Sequence, residues 1–249
     1  MADVNYEIVP AQFVMSKEGT LPFVELDGVE YYDSTFIIRD LSEALRINLE
    51  DHLTDEQRAV ARAFEKMMEL SFGISHLRVK MEHLDEVVAA FPDHMFGALG
   101  PIIKYFLGSK MLNKYTSVLA TSSYGKHTRE ETIQIGCDDL KAISAFLGNK
   151  HFLTGFKPTR IDACLFGFLA QIVYPAYSNP HTDFVNENCG NLVEYVARIR
   201  TRFWPDWDEL TTTFATDTQW RKKGPNGGSR AGSHRGSATS SLMHSPRAQ

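Results

Sequence analysis

Apolar residues recur along this chain with two different periods. In the stretch 19–34, Leu21, Phe23, Val24 and Leu26 lead into Asp27-Gly28, and Val29, Tyr31 and Tyr32 lead out. An Asp-Gly pair between two apolar-bearing runs is a strong hairpin signal, because the favoured two-residue turn needs positive φ at both central positions. After it the period becomes helical: Ile37, Ile38, Leu41 and Leu45 fall on one face, and Asp33 or Ser34 can cap the helix. Between residues 50 and 205 the pattern is helical throughout. Thr54-Asp55-Glu56-Gln57 is a capping box opening a helix with Val60, Phe64, Met67, Phe72 and Ile74 inside. Thr128-Arg129-Glu130-Glu131 opens another, with Leu140, Ile143, Phe146 and Leu147 inside, closed by Gly148-Asn149. Leu192, Tyr195, Val196, Ile199 and Phe203 mark a late helix stopped by Pro205. From Phe91-Pro92 to Tyr124-Gly125, Gly and Pro predict short, broken helices.

The most apolar segment follows Gly155-Phe156-Lys157-Pro158. Thr159 and Asp162 have capping-box spacing, so the hydroxyl can accept from the N–H three residues on and the carboxylate can reach back. The helix then carries Ala163, Cys164, Leu165, Phe166, Phe168, Leu169, Ala170, Ile172 and Val173 before Pro175. Apolar residues all round predict burial on all sides, and a buried N-terminus needs its free donors satisfied internally.

Composition narrows the class. With 249 residues, 43% of them hydrophobic, the chain can bury a core of one or two domains. No run approaches the roughly 18 apolar residues of a membrane span, and the start lacks a secretory pattern. Three cysteines, Cys137, Cys164 and Cys189, without CxxC spacing fit a reducing compartment. The cytoplasm is the expected location. Net charge is −5, but residues 221–249 hold six Lys/Arg and no acid, leaving the body at −11. An acidic body argues against nucleic acid as a partner. The Gly/Ser/Arg-rich tail, residues 216–249, reads as disordered. Nine histidines show no metal spacing, and no GxGxxG, GxSxG or P-loop occurs. No metal ligand and no catalytic residue is assigned; Tyr6, Tyr31 and Tyr32 read as packing residues.

The capped apolar helix resembles the core helix of the C-terminal domain of glutathione transferases. The hairpin and its following helix resemble the second half of their thioredoxin-like domain. Leu21-Pro22-Phe23-Val24-Glu25-Leu26-Asp27-Gly28, Asp33-Ser34-Thr35-Phe36-Ile37-Ile38, Lys157-Pro158-Thr159 onward and Arg202-Phe203-Trp204-Pro205-Asp206-Trp207 resemble, more narrowly, the failed axon connections family. Its nematode cadmium-responsive relatives and the metaxins stand further off. The resemblance implies an α+β, mostly α fold. It also implies a partial thioredoxin-like domain over residues 1–48 and an all-helical glutathione transferase C-terminal-type domain over residues 49–215. It implies glutathione contacts at Leu21 and Pro22, where a cis bond presents backbone to the cysteinyl unit, and at Asp33 and Ser34 for the γ-glutamyl end. A helix N-terminus suits such a carboxylate.

Val4-Asn5-Tyr6-Glu7-Ile8-Val9 reads as the second strand of the thioredoxin-like pattern, already at the start of the chain. The expectation is a shortened isoform or an incomplete gene assignment that lacks the first strand and helix. In the family that segment carries the group that stabilises the glutathione thiolate. Two functions are therefore weighed. One is a non-catalytic interaction or adaptor protein of the failed axon connections type, in neuronal or axonal development. The other is a glutathione-binding or transferase-type detoxification protein. Proteins are the expected partners, with glutathione as a candidate ligand and a homodimer as a candidate state; no other cofactor is expected.

Overall fold

The computed structural model describes residues 1–2, 4, 6, 16–18, 21–91 and 99–213. The expected strand Val4–Val9 (Val4 and Tyr6 apart) and the expected disordered tail, 216–249, lie outside the described residues. The fold is α+β and mostly helical. Strands β1 (Phe23–Leu26) and β2 (Val29–Tyr32) pair antiparallel, with Phe23 opposite Tyr32 and Leu26 opposite Val29. The turn between them has Asp27 at φ 52° and Gly28 at φ 78°, the two positive values that the twist of a tight hairpin requires. Helix α1 (Ser34–Ala44) follows, and the Asp33 carboxylate accepts from the Thr35 N–H at 2.9 Å. Its apolar face is less buried than the pattern predicts. Ile37 is buried, whereas Ile38 and Leu45 are exposed. A helix on two strands is a thin layer, with too little surface to cover a full stripe.

The rest is a helical body. Helix α2 (Asp55–Met67) begins at the Thr54–Gln57 capping box and passes through one π-helical turn, Met68–Phe72, into α3 (Gly73–Glu82). Then come α4 (Leu84–Ala89) and α5 (Gly100–Thr121), followed by a 3₁₀ turn, Ser123–Lys126. Helix α6 (Arg129–Leu147) starts at the Thr128–Glu131 box and ends at Gly148, φ 52°. Helices α7 (Arg160–Val173), α8 (Pro180–Asn188), α9 (Gly190–Phe203) and α10 (Trp207–Thr213) complete it. Met68, Phe72, Leu140, Ile143, Leu165, Leu169, Ile172 and Tyr195 form its fully buried centre.

Two expectations need correction. The Gly- and Pro-containing stretch around 91–125 yields one long helix, α5, over residues 100–121. Pro101 falls in the first turn, where its missing N–H breaks no helical bond. Gly108 faces α4, where an added Cβ would meet Val88 Cγ2 at 3.7 Å. Helix α7 is not buried on all sides either. Ala163, Gly167 and Gln171, each four residues from the next, form an exposed stripe. Two of these three are small, so the sequence reads as apolar where the surface is merely unobtrusive.

Candidate functional site

The four residues singled out for glutathione lie together at the open end of the hairpin. The Phe23–Tyr32 pairing sets Pro22 level with Asp33, which brings Leu21 and Ser34 to the same end. All four are exposed, and the Leu21–Pro22 peptide is cis. Asp33 sits at φ 65°, ψ 120°, a region sparsely used by residues other than Gly and costing about 1–3 kcal/mol. One of its carboxylate oxygens caps α1, and its carbonyl accepts from the Ile37 N–H at 2.8 Å. The first turn of α1 holds no acidic side chain. The Asp33 carboxylate already sits at the positive end of the helix, which leaves the remaining first-turn N–H groups to offer to a ligand. Chemically this end can hold an anion and offer backbone groups.

The Thr159–Asp162 box is formed, and it is more than a cap. Asp162 is fully buried and accepts four hydrogen bonds. Oδ2 takes the Thr159 N–H (2.7 Å) and hydroxyl (3.0 Å), and Oδ1 takes the Leu153 N–H (2.8 Å) and the Tyr195 hydroxyl (2.7 Å). One carboxylate thus ties the start of α7 to the preceding loop and to α9. Burial and the Asp162 charge push the Tyr195 phenol well above its usual value, so it stays a donor. This node is structural.

Two features carried no sequence signal. Ser75 Oγ donates to the Thr132 carbonyl (2.7 Å) and lies 3.0 Å from His181 Nε2, while His181 Nδ1 is 3.2 Å from Asn179 Oδ1. The Ser–His–Asn order has the look of a nucleophilic triad. But Ser75 and His181 are fully buried between α3, α6 and α8, and the serine proton is committed to a carbonyl. Gly136 makes the approach of α6 feasible, since a Cβ there would come within 2.6 Å of His181 Nε2. Burial lowers the His181 pKa to about 4 and that of neighbouring His76 to about 3. Both imidazoles are neutral at pH 7. The second feature is a cleft of about 220 Å³ walled by Lys80, Val87, Phe91, Gln171, Tyr174 and Tyr177. Lys80 Nζ donates to Gln171 Oε1 at 2.6 Å, and burial lowers the lysine pKa. Burial also pushes the Tyr177 phenol up to about 12. The cleft is largely apolar with a few polar groups at its wall, a shape that suits a small ligand.

Burial raises the thiols as well, Cys137 to about 11 and Cys164 to about 12. These are protonated, packed cysteines rather than nucleophiles. Cys164 sits half-exposed beside the core rather than inside it. Among the described residues no three His, Cys, Asp or Glu gather as metal ligands, and no helix is long and apolar enough to cross a membrane.

Residues 1–86 match the glutathione S-transferase N-terminal domain, and residues 136–199 the glutathione S-transferase C-terminal domain. The chain is 36% identical to failed axon connections of Drosophila melanogaster over 209 residues, 79% of this chain and 50% of that protein. It thus spans half the length of the Drosophila relative. Isoprene-epoxide–glutathione S-transferase of Rhodococcus sp. (strain AD45) is 28% identical over 76% of this chain and 79% of its own. Human metaxin-2 is 22% identical over 77% of this chain and 73% of its own. No solved structure matches the chain. Hairpin, capped core helix and both matched domains agree: this chain belongs to the failed axon connections family of the glutathione S-transferase-like superfamily, with the metaxins as more distant relatives.

Proposed function

We propose that this chain is a non-catalytic interaction or adaptor protein on the glutathione transferase fold, of the failed axon connections type. Its place in neuronal or axonal development is carried over from the name of the Drosophila relative. The observation that carries the reading is the surface of the N-terminal unit. Leu21 and Val29 on the hairpin and Phe36 and Ile38 on α1 are all exposed, within a span of eighteen residues. Four large apolar side chains left exposed on so small a unit favour a partner that covers part of it. The raised thiols of the body support the same reading, since none supplies a thiolate.

The test pairs two variants of the full chain in a neuronal extract. Phe36→Asp/Ile38→Asp should lose bound partners, whereas Ser34→Ala should retain them. In parallel, conjugation of glutathione to a generic aryl halide should stay at the uncatalysed rate, because a thiol of pKa about 8.5 is mostly protonated at pH 7. Turnover clearly above background would overturn the adaptor reading.

A second reading, glutathione binding, has its own support in the convergence of cis Leu21–Pro22 with Asp33 and Ser34 and in the left-handed backbone of Asp33. Calorimetric titration with glutathione tests it. Heat of binding that Ser34→Ala abolishes would support that reading, and no heat at millimolar ligand would end it.

A further inference from the structure

Helix α7 is tied to the α2–α3 run at both of its ends, by different chemistry. Arg160, its first residue, pairs with Glu65 of α2 at 2.8 Å. Gln171, in its last turn, accepts instead from Lys80 of α3 at 2.6 Å. The apolar cleft opens beside this second tie, at the opposite end of α7 from the Thr159–Asp162 node. The Gln171 amide is fixed on both sides, because its Nε2 donates to the Gly167 carbonyl at 2.8 Å. It thereby holds the Lys80 ammonium at the cleft wall and leaves it donors to spare. Val87 and Ala90 at α4 and the rings of Tyr174 and Tyr177 supply apolar walls. Tyr177 is stacked on His83 at 4.9 Å between centroids, and its hydroxyl is buried, so the cleft meets its ring. None of the lining residues is acidic, although the chain carries 31 Asp and Glu. Burial lowers the Lys80 pKa, and no carboxylate acts to raise it. A half-buried ammonium set against hydrocarbon and held by a neutral amide is short of counter-charge.

We propose that this cleft binds a small aromatic monocarboxylate, with the carboxylate on the Lys80 ammonium and the ring against Phe91, Tyr174 and Tyr177. Charge selects the head of the ligand. A carboxylate gives the ammonium a charge-assisted acceptor, whereas an amine repels it and a neutral head leaves it uncompensated. A phosphate monoester or a dicarboxylate brings a second charge, for which the lining offers no second cation. The three aromatic side chains select the tail, since rings gain from offset and edge-to-face contact beyond the area they bury. Size sets the limit. The volume of about 220 Å³ lies below the roughly 300–1,000 Å³ of sites for drug-sized ligands, which restricts the enclosed body to one ring and a short linker. The inference stands apart from the adaptor and glutathione readings, both of which concern the N-terminal unit.

Calorimetric titration of the full chain with 3-phenylpropionate tests it, with 3-phenylpropanamide as the uncharged control. The carboxylate should bind in the millimolar range or better. The amide should bind more weakly on the order of tenfold or more, the gap expected of a hydrogen bond between charged groups. Lys80→Met keeps the stem and removes the charge, so it should close that gap by weakening the carboxylate alone. Ala90→Trp, at an exposed position on the rim, should block both ligands with an unchanged circular dichroism spectrum. The proposal falls if the parent binds neither ligand at millimolar concentration, or if the amide binds as well as the carboxylate. It falls equally if either variant binds 3-phenylpropionate like the parent, and the carboxylate then belongs elsewhere, at the start of α1 for example.

Discussion

The cap at Asp33 and the cap at Asp162 show the same local device at opposite depths. Each is an aspartate at the start of a helix, accepting a nearby backbone N–H. Asp33 is exposed, makes one such bond and starts a helix whose stripe is half uncovered. Asp162 is fully buried, accepts four bonds from three segments and starts the helix at the centre of the core. The motif specifies where a helix begins. The energetic weight of the motif comes from what surrounds it, because a buried donor stripped of its acceptor has no water to turn to. The N-terminal unit should therefore be the weak part of the molecule, and the helical body the strong one.

Amide hydrogen exchange probes that contrast most widely. Leu165–Val173 should exchange only on global opening, while Phe23–Leu26, on a two-stranded sheet, should open locally, with protection lower by on the order of 10³-fold, about 4 kcal/mol. Equal protection would abolish the distinction between the regions. Next in size is Asp162→Ala, expected to cost about 3–5 kcal/mol, because the Leu153 and Thr159 amides and the Tyr195 hydroxyl lose a buried acceptor. Thr159→Ala should cost about 1–2 kcal/mol and combine non-additively with it, whereas Asp33→Ala should shift the urea midpoint of the body by about 0.5 kcal/mol or less. Similar losses at the two aspartates would show that depth is not what sets the weight of a cap.

Acid should sharpen the difference in the body. His76 and His181 are held neutral, at about 3 and about 4, against an ordinary value of 6.5. Neither ring nitrogen of His76 has a full hydrogen bond; desolvation dominates its shift, the Lys80 and His181 charges add to it, and only the Gln171 side chain opposes it weakly. The unfolded chain takes up protons below pH 6.5 and the folded chain does not. Stability is thus complete above that value and falls as pH drops toward 4, by up to about 1.4 kcal/mol per unit for each histidine. Denaturant midpoints at pH 7.5 and 5 should separate, and His76→Phe should roughly halve the slope due to this pair. Identical pH profiles for parent and variant would refute this assignment. The smallest expected effect is that of Phe36→Ser/Ile38→Ser, which should leave the body's midpoint within about 0.5 kcal/mol, as for exposed sites generally. A larger shift in thermal or urea unfolding would mean that α1 is coupled to the body.

Much of this was legible in the chain because it is local. The Asp27-Gly28 turn, the three capping boxes and the Gly148 stop each depend on residues within about four positions of one another, where backbone geometry leaves few options. The cis Leu21–Pro22 bond and the meeting of Leu21, Pro22, Asp33 and Ser34 were accessible through the family resemblance. Hairpin register then made the meeting a short-range fact. Composition misled at two places. Gly and Pro in 91–125 suggested interruption, but a proline in the first turn costs no helical bond, and α5 runs unbroken. The apolar run of α7 suggested full enclosure, but Ala163 and Gly167 are small enough to face solvent without penalty.

What the sequence settled by itself is the hairpin, the starts of the capped helices and the family, since these follow from spacing and from residue types. Tertiary structure alone decided which of those residues matter energetically. The Tyr195 hydroxyl reaches Asp162 across 33 positions, and Ser75 reaches His181 across 106. It also left the face of α5 uncovered while burying that of α9. Burial is a property of what the rest of the chain places nearby. Contacts at such separations depend on how every intervening helix packs, and no local pattern records them.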